Sequence, residues 1–325
     1  MLVSNKKGRD LLVKVATMYY IGNQSQDEIA KSLSFSRTKV SRLLDYARQT
    51  KVVEFRIKHS ESMIEEWGKR IRDHYGLKDV IVVPSATSPE ESKFNVGKAA
   101  AAYLDQLLVN DINIGFAWGT TIHEMVRQFQ PTRTVTNAWV VQLNGGMNIE
   151  SDTFHMDGTE LVKTVARRIN AYSSLLPTQY IVKNRLLRKL LMEEDEIRKH
   201  FSKFDNLDVA VVGLTSSLAE ENVAYRAGYI TLEEANGMIR SGFVSDICGN
   251  PVTADGEEKE NPLTGRILAI DLETLKKIPL VIAIGEGERK AMPTIAAVRG
   301  HYVNVLIIDE LLALAIMCAD NIDSQ

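Results

Sequence analysis

From residue 80 to residue 308 the chain repeats one pattern, and that pattern limits what it can fold into. Short apolar runs at 80–83, 112–117, 138–143, 209–212, 280–284 and 303–308 are separated, in most cases, by stretches that read as helices. Runs this short and this uniformly apolar are typical of strands buried on both faces. Such strands, alternating with helices, predict an α/β fold with a parallel or mostly parallel sheet. The chain has 325 residues, 45% of them hydrophobic, which is enough for one large core and a second domain. Residues 249–262, rich in Pro, Gly and acidic side chains, read as an exposed loop.

The first sixty residues have a different texture. They hold twelve Lys or Arg against five Asp or Glu, a net +7, while the whole chain is −3. A basic module on an acidic body suggests that one part meets a polyanion and the other does not. Residues 9–21 read as a helix with Leu11, Leu12, Val15, Ala16 and Tyr19 on one face. After a turn at Gly22, Ser25 and Glu28 have capping-box spacing, and a short helix runs to about Leu33. Ser36 is the next N-cap, opening a helix to about Gln49.

On that helix Val40, Leu43, Leu44 and Ala47 share one face. Opposite lie Thr38, Arg42, Asp45 and Gln49, flanked by Ser41 and Lys39, with Arg37 in the first turn nearer the buried stripe. This is the layout of a recognition helix. Arg42 and the short hydroxyls are offered to base edges, and Ser36, Arg37 and Lys39 to phosphates. Ser25 and Gln26, at the start of the preceding helix, complete the candidate DNA-binding set. The blander reading of the helix alone is a solvated face. The tight turn before it, the alternating residues 52–59 that read as a strand or wing, and the local charge favour double-stranded DNA.

The stretch YYIGNQSQDEIAKSLSFSRTKVSRLLDYAR resembles the helix-turn-helix of the SorC/DeoR-type sugar-binding transcriptional regulators. The resemblance continues through GFAWGTTI (115–122), VVQLNGG (140–146), LDVAVVGLTS (207–216), SDIC (245–248) and GEGERKAMPTIAAVRGHYVNVLIID (285–309). It implies a winged helix-turn-helix over residues 1–59. Residues 60–325 would form an effector and oligomerisation domain with a fold like sugar-phosphate isomerases and CoA transferases. It also implies regulation of a carbohydrate-catabolism operon by a phosphorylated sugar or sugar alcohol. Dimers or tetramers are expected, because one winged-helix unit reads few base pairs. The helix over 61–76 is expected to act as a connector able to join subunits.

The same resemblance points to site residues at strand ends, where parallel sheets bind ligands. Gly119, Thr120 and Thr121 open a helix after the 112–116 run. From the residues alone they suit an ordinary N-cap as well as an anion; the resemblance favours phosphate. Asn144, Gly145 and Gly146 follow the next run. Some members carry a lysine at the Asn144 position that can form a Schiff base, which asparagine cannot, so reversible hydrogen bonding is expected here. The paired glycines suit a close backbone approach. Asp246 matches an aspartate that bonds sugar hydroxyls, although the Gly249-Asn-Pro-Val continuation departs from the family. Lys290 matches the lysine that approaches phosphate; its alternative is an exposed lysine at a helix start. Glu286 and Glu288 are expected to face solvent, and Gly213 and Thr215 to line the cleft.

Enzyme signatures are weak. His123-Glu124 starts a zincin-like pattern that fails at Arg127, and neither a nucleophile elbow nor a P-loop is present. No catalytic residue, cofactor or metal is expected, although an isomerase-like enzyme with residual activity is the alternative that the fold resemblance allows. The two cysteines, Cys248 and Cys318, form no disulfide framework. The start of the chain lacks a signal-peptide core, and the apolar run 311–319 is about half a membrane span. A cytoplasmic protein with no membrane partner is therefore expected.

Overall fold

The computed structural model describes residues 6–53, 59–146, 158–218 and 222–322. They divide into two compact units, Met1–His59 and Ser60–Gln325.

Among its described residues the first unit has a trio of α-helices: α1 (Lys6–Ala16), α2 (Gln26–Leu33) and α3 (Arg37–Gln49). The helix expected over 9–21 is α1 followed by a π turn, Thr17–Ile21, closed by Gly22 N–H donating to the Thr17 carbonyl at 2.8 Å. Gly22 is required there, because a Cβ would lie 2.7 Å from the Met18 carbonyl oxygen. Val15, Ile29, Ala30, Val40 and Leu44 form the core of the trio.

The second unit begins with α4 (Glu61–Tyr75), capped by Ser60 and ended by Gly76 in the left-handed region at φ +64°. It continues with β1 (Asp79–Val83), α5 (Pro89–Leu107), β2 (Asn113–Phe116), α6 (Thr120–Gln128), β3 (Trp139–Gln142), α7 (Gly158–Ile169) and β4 (Tyr172–Ser174). Next come α8 (Arg185–Glu193), α9 (Asp195–Phe201), β5 (Val209–Ser216), α10 (Val223–Arg226), α11 (Leu232–Arg240) and a hairpin of β6 (Phe243–Ile247) and β7 (Asn250–Thr253). The unit ends with α12 (Leu272–Lys277), β8 (Leu280–Gly285), α13 (Ala291–Arg299), β9 (Val305–Asp309) and α14 (Glu310–Ala319).

Among the described residues the sheet is nine-stranded, with β1-β9-β8-β5-β2-β3-β4 in parallel order. The β6–β7 hairpin attaches antiparallel to the far end of β5, pairing Thr215 with Asp246. The expected mostly parallel α/β sheet is therefore present. The central strands are buried as the apolar runs predict, with all five residues of β9 buried, while β1 at one edge is half-buried throughout and β4 at the other is mostly exposed.

Two expectations are corrected. Residues 249–262 are not wholly an exposed loop. Their first part is β7, with Pro251, Val252 and Thr253 buried, and Gly256 lies against Gly300. The helix over 61–76 is not a free connector either. It buries Ile64, Trp67 and Ile71 in the main core of its own unit. A second, smaller core beside the sheet joins Tyr180, Met238, Phe243, Leu263 and Ile267, and Trp118 packs against both cores.

Candidate functional site

Each unit presents a candidate surface. In the first, local chemistry builds the candidate recognition helix. The Ser25 hydroxyl accepts from Glu28 N–H at 3.3 Å, and the Glu28 carboxylate accepts from Ser25 N–H at 2.7 Å. The expected capping box is thus formed, and the Ser25 N–H and hydroxyl, both donating to the Glu28 carboxylate, lower its pKa from the ordinary value. Ser34, left-handed at φ 54°, ends α2. Ser36 accepts from Lys39 N–H at 3.2 Å and starts α3. Val40, Leu44 and Ala47 are buried and Leu43 half-buried, which leaves Arg37, Thr38, Lys39 and Arg42 exposed and Ser41 half-buried. Ser25 is exposed and Gln26 half-buried at the head of α2.

The exposed residues are not equivalent. Arg37 lies 3.7 Å from Asp27, Lys39 sits 3.6 Å over the Phe35 ring, and Asp45 pairs with Arg48. Arg42 has no hydrogen-bond or ion-pair partner among the described residues. The N–H groups of Val52 and Val53 donate to the Ala47 carbonyl, which turns the chain back onto Leu12 and Ala16. Most of the expected wing, residues 54–58, lies outside the described residues.

The second surface is a cleft at the carboxyl ends of β2, β3, β5 and β8. Its wider end, about 230 Å³, is lined by Thr120, Thr121, Thr215, Arg226 and Lys290 among others. Its narrow end, about 20 Å³, is lined by Asn144, Tyr180, Asp246 and Cys248 among others. The two ends are adjacent and share Trp118, Gly213, Thr215 and Val223 in their linings. Most of the residues expected from sequence do converge here.

At the wide end, Gly119 is the N-cap of α6 and no side chain caps that helix, so neither threonine serves as an N-cap. Thr120 is exposed, and Thr121 is buried with its hydroxyl donating to Glu286 at 2.8 Å. The Lys290 ammonium lies 3.7 Å from the same carboxylate. The lysine chain folds over Gly285, whose missing Cβ would sit 3.1 Å from Lys290 Cδ. Glu286 therefore departs from expectation: its side chain is 12% exposed and turned toward Thr121 and Lys290, which both line the cleft, while Glu288 does face solvent.

At the narrow end, Asp246 accepts from Gly249 N–H at 2.7 Å and is hydrogen-bonded to Tyr180. Burial pushes its carboxyl up to about 6, against the pull of those two donors. Burial and the neighbouring Asp246 charge push the Tyr180 phenol well above its usual range. Tyr180 meets Trp118 edge-on at 5.3 Å, and Trp118 Nε1 donates to the Gly145 carbonyl at 3.3 Å. Gly249 makes room for this, since at φ +90° its Cβ would stand 2.0 Å from the Tyr180 hydroxyl. Asn144 is buried, and its Oδ1 has no hydrogen-bond partner among the described residues. A buried acceptor left open in a cleft is suited to a ligand donor.

The paired glycines play a different part from the expected one. Gly145 N–H donates to the Leu268 carbonyl and Gly146 N–H to that of Thr178, both at 2.9 Å. A Cβ on Gly145 would lie 2.7 Å from Gln179 backbone atoms. The close approach is thus to the chain's own backbone, and these amides are already occupied.

Sequence reading missed Tyr180, Arg226 and the inward turn of Glu286. Trp118 lay inside a quoted motif without being singled out, and nothing local marks the other three. Among the described residues no group of three or more His, Cys, Asp or Glu is set to hold a metal ion. No helix among them is long and apolar enough to cross a membrane.

Comparison with known proteins fits this geometry. Residues 59–318 match the Sugar-bind family, a sugar-binding domain. The chain is 27% identical to the deoxyribonucleoside regulator of Bacillus subtilis over 96% of its own length and 99% of that protein. It is 27% identical to the sorbitol operon regulator of Klebsiella pneumoniae, covering 91% of this chain and 94% of the relative. The crystal structure of that full-length regulator, SorC, superposes with a TM-score of 0.72 over 96% of this chain and 100% of that one. The chain belongs to the sugar-binding-domain family of SorC/DeoR-type transcriptional regulators.

Proposed function

We propose that the protein is a transcriptional regulator of a carbohydrate-catabolism operon. Its first unit binds operator DNA through α3, and its cleft reversibly binds a phosphorylated sugar. The observation that carries the effector reading is the pairing of two unlike ends in one groove. Lys290, Thr121 and the start of α6 stand at one end, and Asp246 and the open Asn144 Oδ1 at the other. A cation and a helix start suit phosphate, while a carboxylate and an amide suit hydroxyls. The relatives' names, which speak of a deoxyribonucleoside and of sorbitol, support a sugar-like ligand of this size class. Binding rather than turnover is the role proposed.

The DNA reading rests on the exposed cationic face of α3, with Arg42 as the base-reading residue and Ser36, Arg37 and Lys39 as phosphate contacts. Ser25, Gln26, Thr38 and Ser41 complete that surface. The protein acts as a homo-oligomer, a dimer or tetramer, so that two recognition helices meet two half-sites. Support comes from α8, none of whose residues is buried and which exposes Leu186, Leu187 and Leu190. Effector binding shifts the balance between arrangements of the subunits, by no more than its differential affinity for them.

Thermal stabilisation by a panel of sugar phosphates and free sugars, beside a Lys290→Ala variant, tests the effector reading. A ligand at 100 times its Kd adds about 2.7 kcal/mol. One phosphosugar that stabilises the wild type and not the variant is the expected result. Stabilisation by free sugars only, or equal stabilisation of both proteins, removes the phosphate from the proposal.

A further inference from the structure

One carboxylate stands where a phosphate site should be free of negative charge. Glu286 Oε2 accepts from the Thr121 hydroxyl at 2.8 Å and lies 3.7 Å from Lys290 Nζ. Two of the groups that a phosphate would use, the Thr121 hydroxyl and the Lys290 ammonium, are thus already engaged by the chain itself. The arrangement is built into the loop after β8. Gly287, at φ +84°, allows a turn that other residues rarely make. Its N–H donates at 2.9 Å to the buried carboxylate of Asp309. Asp309 is held in turn by the Ser85 hydroxyl at 2.8 Å and caps α14 through Leu312 N–H at 3.0 Å. The backbone on the far side of Glu286 is therefore fixed, and the side chain has 12% of its surface exposed.

We propose that Glu286 is a specificity-determining residue. It is an internal anion that engages Thr121 and Lys290, two side chains lining the phosphate end of the cleft, and must be displaced from them by the effector. The proposal rests on the reading of the Lys290 end as the phosphate subsite. An incoming phosphate is repelled by the carboxylate, more strongly in a half-dry cleft than in water. It gains Lys290 and Thr121 only after Glu286 has rotated away. Inorganic phosphate has only the start of α6 besides to offset that displacement. A phosphosugar also reaches Asn144 and Asp246 at the narrow end, and those contacts supply the difference. Glu286 thereby makes the phosphate end respond to the whole effector and not to free phosphate. Specificity of this kind comes from a repulsive element set against the wrong ligand.

Calorimetric titration of the full chain with inorganic phosphate, and with the phosphosugar that stabilises it, tests this. The proteins are wild type, Glu286→Gln, Glu286→Ala and the double variant Glu286→Gln/Lys290→Ala. Glutamine keeps an acceptor for Thr121 and removes the charge, and alanine removes both. Inorganic phosphate is expected to bind either single variant at least about tenfold more tightly than wild type, the equivalent of about 1.4 kcal/mol. The gain is expected to vanish in the double variant. The ratio of phosphosugar to phosphate affinity is expected to fall. Wild type binding inorganic phosphate as tightly as both single variants overturns the proposal, while loss of phosphosugar binding in Lys290→Ala leaves the phosphate reading standing. If no phosphosugar binds wild type or either single variant, the phosphate reading fails and this proposal with it.

Discussion

The candidate recognition helix and the candidate effector cleft solve opposite problems. The candidate DNA contacts of α3 lie within six consecutive positions, Arg37 to Arg42, all exposed except the half-buried Ser41, and are aimed by a single cap and a single buried stripe. Those of the cleft come from the ends of four parallel strands and a hairpin, and several are buried. An exposed side chain can be removed at little cost to stability. A buried polar one is tied to packing, so its loss moves stability and binding together.

The comparison is broken most readily at Gly249, where side-chain space and backbone angle both demand glycine. Gly249→Ala drives a Cβ into the Tyr180 hydroxyl and strains a backbone at φ +90°. It is expected to destabilise the second unit by about 3 kcal/mol or more, read from denaturant unfolding. Arg42→Ala is the matching change on α3. It should lose about 1–3 kcal/mol of operator affinity and relax sequence preference, with an unchanged melting temperature. An Arg42 variant that melts early would place the side chain in the fold and not at the DNA.

Asp246 sharpens the contrast through pH. Its folded pKa of about 6 lies above the ordinary 3.8, so its contribution to stability falls as pH rises across that window. His200 works the other way. Buried between Ser174 and the Gln142 carbonyl, it is pushed down to about 4 from 6.5, so stability falls as pH drops from 6.5 to 4. Asp246→Asn removes only the first effect. Without ligand the variant should melt above wild type at pH 7, with the difference shrinking toward pH 4, and it should bind effector more weakly. The smallest expected effect is that of Lys39→Ala. It should weaken all DNA sequences about equally and lower the salt slope of binding by about one. None of the candidate DNA contacts on α3 should show a comparable pH-dependent melting shift.

The same contrast explains how much could be read in advance. The capping box, the Ser36 cap and the stripe of Val40, Leu44 and Ala47 depend on neighbours three or four residues away, so α3 was legible from its own letters. Strands buried on both faces were equally plain, because apolar runs need no partner to be recognised. The β6–β7 hairpin was hidden because Ser245, Asp246, Asn250, Pro251 and Thr253 carry no strand-like pattern. It forms by pairing with β5. The inward turn of Glu286 depends on Asp309 gripping Gly287. The occupied amides of Gly145 and Gly146 depend on the Leu268 and Thr178 carbonyls. Each of these is set by a residue more than twenty positions away, and a local reading has no means of seeing it.

The central claim is that one cleft controls one DNA-binding surface. The most direct measurement is operator affinity, followed by fluorescence anisotropy, while the stabilising phosphosugar is titrated into wild type and Lys290→Ala. The account predicts a ligand-dependent change in wild-type operator affinity, matched by an equal factor in ligand affinity when operator is bound. It also predicts the same unliganded operator affinity in the variant and no response to ligand. A variant that responds like wild type, or a wild type whose operator affinity is indifferent to a ligand it binds, contradicts it.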